Sequence, residues 1–183
     1  MSREEWLQAT QRTYGTTQEN VIKATEKIFR LADGDDFKVA HHENGLTATR
    51  PWIVYMVFTG ATGTDYWSLN VKDNNGKTKA SIAVSTDGNA VAPIATTSPG
   101  VYSAGSAAIA GTPVNGTALY DLFWSRMDWM LGLRKDWMGC KEADAMVKEK
   151  KVWGTNEALC NSFNIKDTLP TEEERVIQFS TNN

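Results

Sequence analysis

The 183-residue chain is poor in the side chains that most often carry chemistry. It has two histidines, so the commonest general base is scarce. Its two cysteines stand 20 positions apart with no histidine near them, which falls short of a zinc ligand set. Lysine and arginine are missing from Ala80 to Ser125, and the 19 basic residues are outweighed by 22 acidic ones. A net charge of −3 gives no general attraction to phosphate backbones, and no strand pattern interleaves aromatic with basic residues. No nucleic-acid partner is expected. The longest apolar run, Trp52 to Phe58, is far shorter than the roughly 20 residues a membrane-spanning helix needs. Neither a Gly-x-Ser-x-Gly nucleophile turn nor a phosphate-cradling Gly-x-x-x-x-Gly-Lys occurs.

What is present is the composition of one folded domain, 41% hydrophobic and 22% charged. Residues 3–12 read as a short helix anchored by Trp6 and Leu7. Thr16-Thr17-Gln18-Glu19 reads as a capping box, and the helix after it carries Val21, Ala24, Ile28, Leu31 and Ala32 on one stripe. Two hairpins follow. The first turns at Asn44-Gly45, between an alternating run from Phe37 to His41 and a return strand from Leu46 to Arg50. Pro51 is expected to break that ladder, and 52–58 fits a strand or a helix. The second turns at Asn74-Asn75-Gly76, with Trp67, Leu69 and Val71 alternating on the way in and Ala80, Ile82 and Val84 on the way out.

Residues 87–116 hold five glycines, seven alanines, three prolines and one charge, Asp87. Such a stretch offers little apolar surface to offset its ordering entropy, and a mobile loop is expected there. Thr117 starts a second amphipathic helix to about Leu131, with Gly132 as a left-handed stop. A domain over 1–136 and a helical C-terminal extension over 137–183 follow from this pattern. The fold expected is α+β: an antiparallel sheet of four or five strands, packed on one face by two main helices in a helix-grip-like way.

The candidate sites are few. His41-His42 lie in a strand, where neighbours point to opposite faces and cannot share one metal. Asp33, Asp35 and Asp36 resemble the start of a calcium loop, but Asn44 stands where the bidentate glutamate belongs. Ser85 and Ser103 have no base nearby in sequence. Cys140 and Cys160, if joined, close a loop worth on the order of 3 kcal/mol; the charged, core-poor segment between them would gain from that staple. Seven tryptophans exceed what a core of this size ordinarily requires. Either they pack the C-terminal segment onto the domain, or Trp129, Trp137 and Trp153, with Tyr102, form an aromatic surface for a protein partner.

The order helix, hairpin, apolar segment, hairpin, long loop, helix spans residues 17–131. Within it, Leu31-Ala32-Asp33-Gly34-Asp35-Asp36-Phe37, Asn44-Gly45, and Leu119-Tyr120-Asp121-Leu122-Phe123-Trp124 through Asp128 resemble uncharacterised lipoproteins of the Gram-negative cell envelope. That resemblance implies a periplasmic location, a Cys140–Cys160 disulfide, an envelope protein partner, no cofactor, and a role in binding or assembly without catalysis. Membrane association would come only through a lipid anchor that this chain does not carry. The chain's opening, Met-Ser-Arg-Glu-Glu-Trp, has no signal-peptide pattern, so it is either a cytoplasmic protein or one whose secretion signal has been removed. Two further readings stand beside this one. A small apolar ligand held between the long helix and the sheet is one, and a hydrolytic enzyme working through paired carboxylates is the other.

Overall fold

The computed structural model describes residues 2–33, 36–56, 59–95, 102–114, 116–160 and 169–179; along 55–56, 59, 90–95, 102–110 and 112 it describes the main chain alone. Helix α1 (Arg3–Thr10) is opened by a reciprocal cap. The Ser2 hydroxyl accepts from the Glu5 amide, and the Glu5 carboxylate accepts from the Ser2 amide. The chain then straightens into a short strand, β1 (Gln11–Tyr14), where the sequence pattern carried the helix on to residue 12. Helix α2 (Gln18–Asp33) is capped one residue later than expected, by Thr17, whose hydroxyl accepts from the Asn20 amide. Its 3.6-residue stripe buries Val21, Ala24, Ile28 and Phe29.

Strands β2 (Lys38–His42) and β3 (Gly45–Met56) form the first hairpin around a two-residue loop, Glu43-Asn44. Strands β4 (Thr59–Asn74) and β5 (Lys77–Ala95) form the second. Its turn places Asn75 at φ 55° and Gly76 at φ 76°, the left-handed pair that a tight hairpin requires. Strand β6 (Tyr102–Pro113) returns along β5. All pairings are antiparallel, and β1 and β6 take successive stretches of the same edge of β5. The sheet therefore has six strands but is nowhere more than five abreast. This is the α+β fold expected from the sequence.

Two expectations about the sheet are corrected. Most of 87–116 lies in β5 and β6 rather than in a loop. Small side chains bury little surface, but pairing with a neighbouring strand satisfies the main chain whatever the side chains are. Pro51 does not end β3 either. Lys38 at the start of β2 pairs with Thr49, so beyond that point β3 is an edge strand, where a missing donor is tolerated.

Alternation puts Leu46, Ala48, Trp67, Leu69, Val71, Ala80, Ile82 and Val84 on one face, and all are buried. Helices α2 and α3 (Ala118–Met130) both cover that face. Phe29 of α2 and Phe123 of α3 meet Trp67 at ring-centroid distances of 5.2 and 5.9 Å. Gly132, at φ 70°, ends the α3 turn as expected, and the Gln178 carbonyl stands where a β-carbon would go.

Beyond α3, helix α4 (Cys140–Lys148) is tied back by a buried disulfide from Cys140 to Cys160. A disulfide persists in oxidising compartments, so its presence fits an extracytoplasmic domain. No helix among the described residues is long and apolar enough to cross a membrane. Segment 169–179 docks on α3 through Arg175, which is 4% exposed. Its guanidinium donates to the carbonyls of Trp129, Arg134 and Lys135 and pairs with Glu172. Replacing both cysteines by serine should lower the unfolding free energy by about 3 kcal/mol, since the closed loop is 20 residues long. Denaturation of the double variant and the wild type without reductant measures this, and a loss under about 1 kcal/mol would contradict it.

Candidate functional site

The apolar face of the sheet changes character where α2 stops. The next row on that face is Arg50, Asp65 and Thr86, opposite one another on β3, β4 and β5. The row after it is Trp52, Gly63 and Gly88. Above the core, then, comes an ionic row and above that an aromatic ring lying on glycine.

The Arg50 side chain is 5% exposed and lies between two carboxylates, 3.2 Å from Asp33 at the end of α2 and 3.4 Å from Asp65. It also donates to the Glu157 carbonyl at 2.8 Å, which joins the C-terminal region to the sheet. Its Nε has no hydrogen-bond partner among the described residues. Burial raises the pKa of Asp33 and of Asp65 above the ordinary carboxylate value, and the Arg50 charge offsets that in part. Arg50 is thus held by charge, while the burial that brings the three groups together opposes ionisation of its partners.

Trp52 is pinned. Its Nε1–H donates to the Thr86 hydroxyl at 3.1 Å. A β-carbon on Gly63 would stand 2.3 Å from the indole, and one on Gly88 would stand 2.8 Å from it. The two glycines therefore form the seat that lets the ring lie against the sheet. Hollows open beside the indole. One, of about 370 Å³, is bounded by Pro51 to Val54 of β3, by Asp33 and Asp36, and by Thr155, Glu157 and Ala158. The other, of about 720 Å³, extends over Gly63 and Gly88.

The residues singled out in the sequence fall elsewhere. Trp129 is 2% exposed and cannot belong to a contact surface as the chain is folded. It packs edge-on against the half-buried Trp137, with Arg175 over one indole at 4.1 Å and Arg126 over the other at 4.9 Å. These two tryptophans hold the C-terminal segment onto α3. Trp153 is 49% exposed, and Tyr102 opens β6 opposite Ala95, its side chain outside the described residues. His41 sits 3.2 Å from Glu26 on the surface, and His42 is exposed. Of the calcium-loop aspartates, Asp33 faces Arg50, Asp36 lines the hollow, and Asp35 lies outside the described residues. Ser85 sits on the sheet face opposite the core; the Ser103 side chain lies outside the described residues.

Arg50, Trp52 and Asp65 are the residues that sequence reasoning missed. The signal was there: Arg50 and Trp52 continue the alternation begun at Leu46 and Ala48, but only if the strand runs through Pro51. No family model, curated protein or solved structure matches the chain.

Removing Arg50 leaves two partly or fully buried carboxylates unpaired, so Arg50→Ala should cost about 3–5 kcal/mol in urea unfolding. A cost under 1 kcal/mol would show that the cluster is solvated. The pH dependence has a definite sign. An aspartate whose folded pKa is raised favours the fold while protonated, and that contribution is lost as pH rises through the folded value. From 3.8 upward, Asp65→Asn should therefore lose less stability with rising pH than the wild type. Parallel profiles of melting temperature against pH would contradict it.

Proposed function

We propose that the chain is a non-catalytic protein-interaction or assembly domain of a bacterial envelope lipoprotein, acting in the periplasm. Its contact surface is the part of the sheet that extends past α2. The observation that carries this reading is the seated indole. Trp52 is fixed by Thr86 and by two glycines, so it offers a large rigid surface at small cost in side-chain freedom. Strands β3 to β5 run unbroken from the packed core into this shelf, which holds its geometry rigid. Of the titratable groups beside it, the three buried or half-buried ones, Asp33, Arg50 and Asp65, are spent on one another. That arrangement supports binding better than acid–base work, in which a base must reach a substrate proton. The space beneath α2 is filled by Phe29, Trp67 and Phe123 in mutual contact, which favours a surface partner over an apolar ligand under the helix. The buried disulfide agrees with an oxidising compartment.

Immobilised wild-type chain should retain a defined set of proteins from a bacterial envelope extract. Trp52→Ala should reduce that retention at least tenfold, whereas Tyr66→Ala, on the opposite face of β4, should leave it within twofold. Equal losses in the two variants, or no retention by the wild type, would overturn the reading.

A further inference from the structure

Resting on that reading, we infer that the open edge of β3 from Pro51 to Met56 accepts an extended, lysine- or arginine-bearing segment of the protein partner as an added strand. The β2–β3 hairpin has a two-residue loop, with His42 and Gly45 as its closing pair. In such a hairpin the closing pair exchanges main-chain hydrogen bonds, and the direction alternates along the strand. Odd-numbered residues of β3 therefore aim their main-chain groups toward β2. Past Thr49 there is no β2, and that side of β3 has no strand partner among the described residues. Pro51 falls on the open side, where its missing N–H removes no ladder bond. Ile53 and Tyr55 fall on it too, and among the described residues neither meets a main-chain partner on that side, which leaves donor and acceptor to a new strand.

The edge is also supplied with a recognition element. The hollow of about 370 Å³ runs along Pro51 to Val54, so an added strand would lie against its wall. Four carboxylates, those of Asp33, Asp36, Asp65 and Glu157, line that hollow with one guanidinium, Arg50. The balance is acidic, and Asp36 and Glu157 are exposed at its rim. The Trp52 indole lines the same hollow and adds an aromatic wall suited to a cationic side chain. Arg50 supplies an independent pointer. It is buried with its Nε unpaired among the described residues, a donor that a strand's carbonyl oxygen would meet after a small shift of the guanidinium. Main-chain pairing would give affinity, and the basic side chain in the hollow would give choice of partner. Pro51 keeps the paired stretch short, so such a segment binds only when the hollow is filled as well.

The test uses the full chain and an acetylated, amidated hexapeptide of alternating valine and lysine. Fluorescence anisotropy of the labelled peptide should show saturable binding. Replacing its lysines by glutamate should weaken binding at least tenfold, and so should methylating alternate peptide nitrogens, which removes strand donors without touching the protein. Ile53→Pro should abolish binding while the melting temperature stays within a few degrees, because the lost N–H faces no partner among the described residues. Equal affinity for the lysine and glutamate peptides, or unchanged binding to Ile53→Pro, would overturn the inference; the latter would also be the outcome if the peptide paired with β6 instead. Envelope proteins retained by the wild type and by Ile53→Pro alike, but not by Trp52→Ala, would leave the interaction reading standing and remove the added strand. Peptide pairing without any retained envelope protein would do the reverse.

Discussion

The contact of Phe29, Trp67 and Phe123 is the junction on which the fold depends. One ring comes from α2, one from the middle of the sheet and one from α3, with centroids 5.2 to 6.3 Å apart. Aromatic pairs of this kind contribute about 0.5–1.5 kcal/mol each beyond the area they bury. More important is what they fix. Both helices are set against the same rows of the sheet, so the helical layer ends at a definite row. The polar and aromatic rows of Arg50 and Trp52 lie beyond that limit because the junction sits where it does.

A second set of contacts works at the other side of α3. Arg175, Trp129, Trp137 and Arg126 stack guanidinium against indole and indole against indole. Together with the Cys140–Cys160 bridge they hold a C-terminal region in which α4 is the one α-helix among the described residues. The Glu157 carbonyl, reached through that region, then becomes an acceptor for Arg50. The C-terminal segment is in this way part of the wall of the hollow as well as a cover for α3.

Much of this was legible in the residues. The α2 stripe, the Asn75-Gly76 turn, the Gly132 stop and the alternation around Trp67 each express a local rule that the tertiary structure obeys. What was not legible depended on partners far away in sequence. The segment 87–116 is weak by composition, yet its strands are set in place by β5 pairing with both β4 and β6. Trp129 is covered by an arginine 46 residues on. Arg50 and Asp65 read as ordinary surface charges until the β3–β4 register places them opposite each other under the last turn of α2. Pro51 misled because a rule for central strands was applied to a residue that β2 is too short to reach.

Strand β5 is nineteen residues long and changes its outer neighbour partway, from β1 to β6. Its inner neighbour β4 does not change over that span. The β4–β5 ladder keeps its register from the far end of the sheet into the region under the helices, and the β5–β6 ladder shifts register once, between Thr86 and Gly88. Shelf and core are thus two ends of the same pair of ribbons, and a substitution that shifted the β4–β5 register at one end would displace side chains at the other.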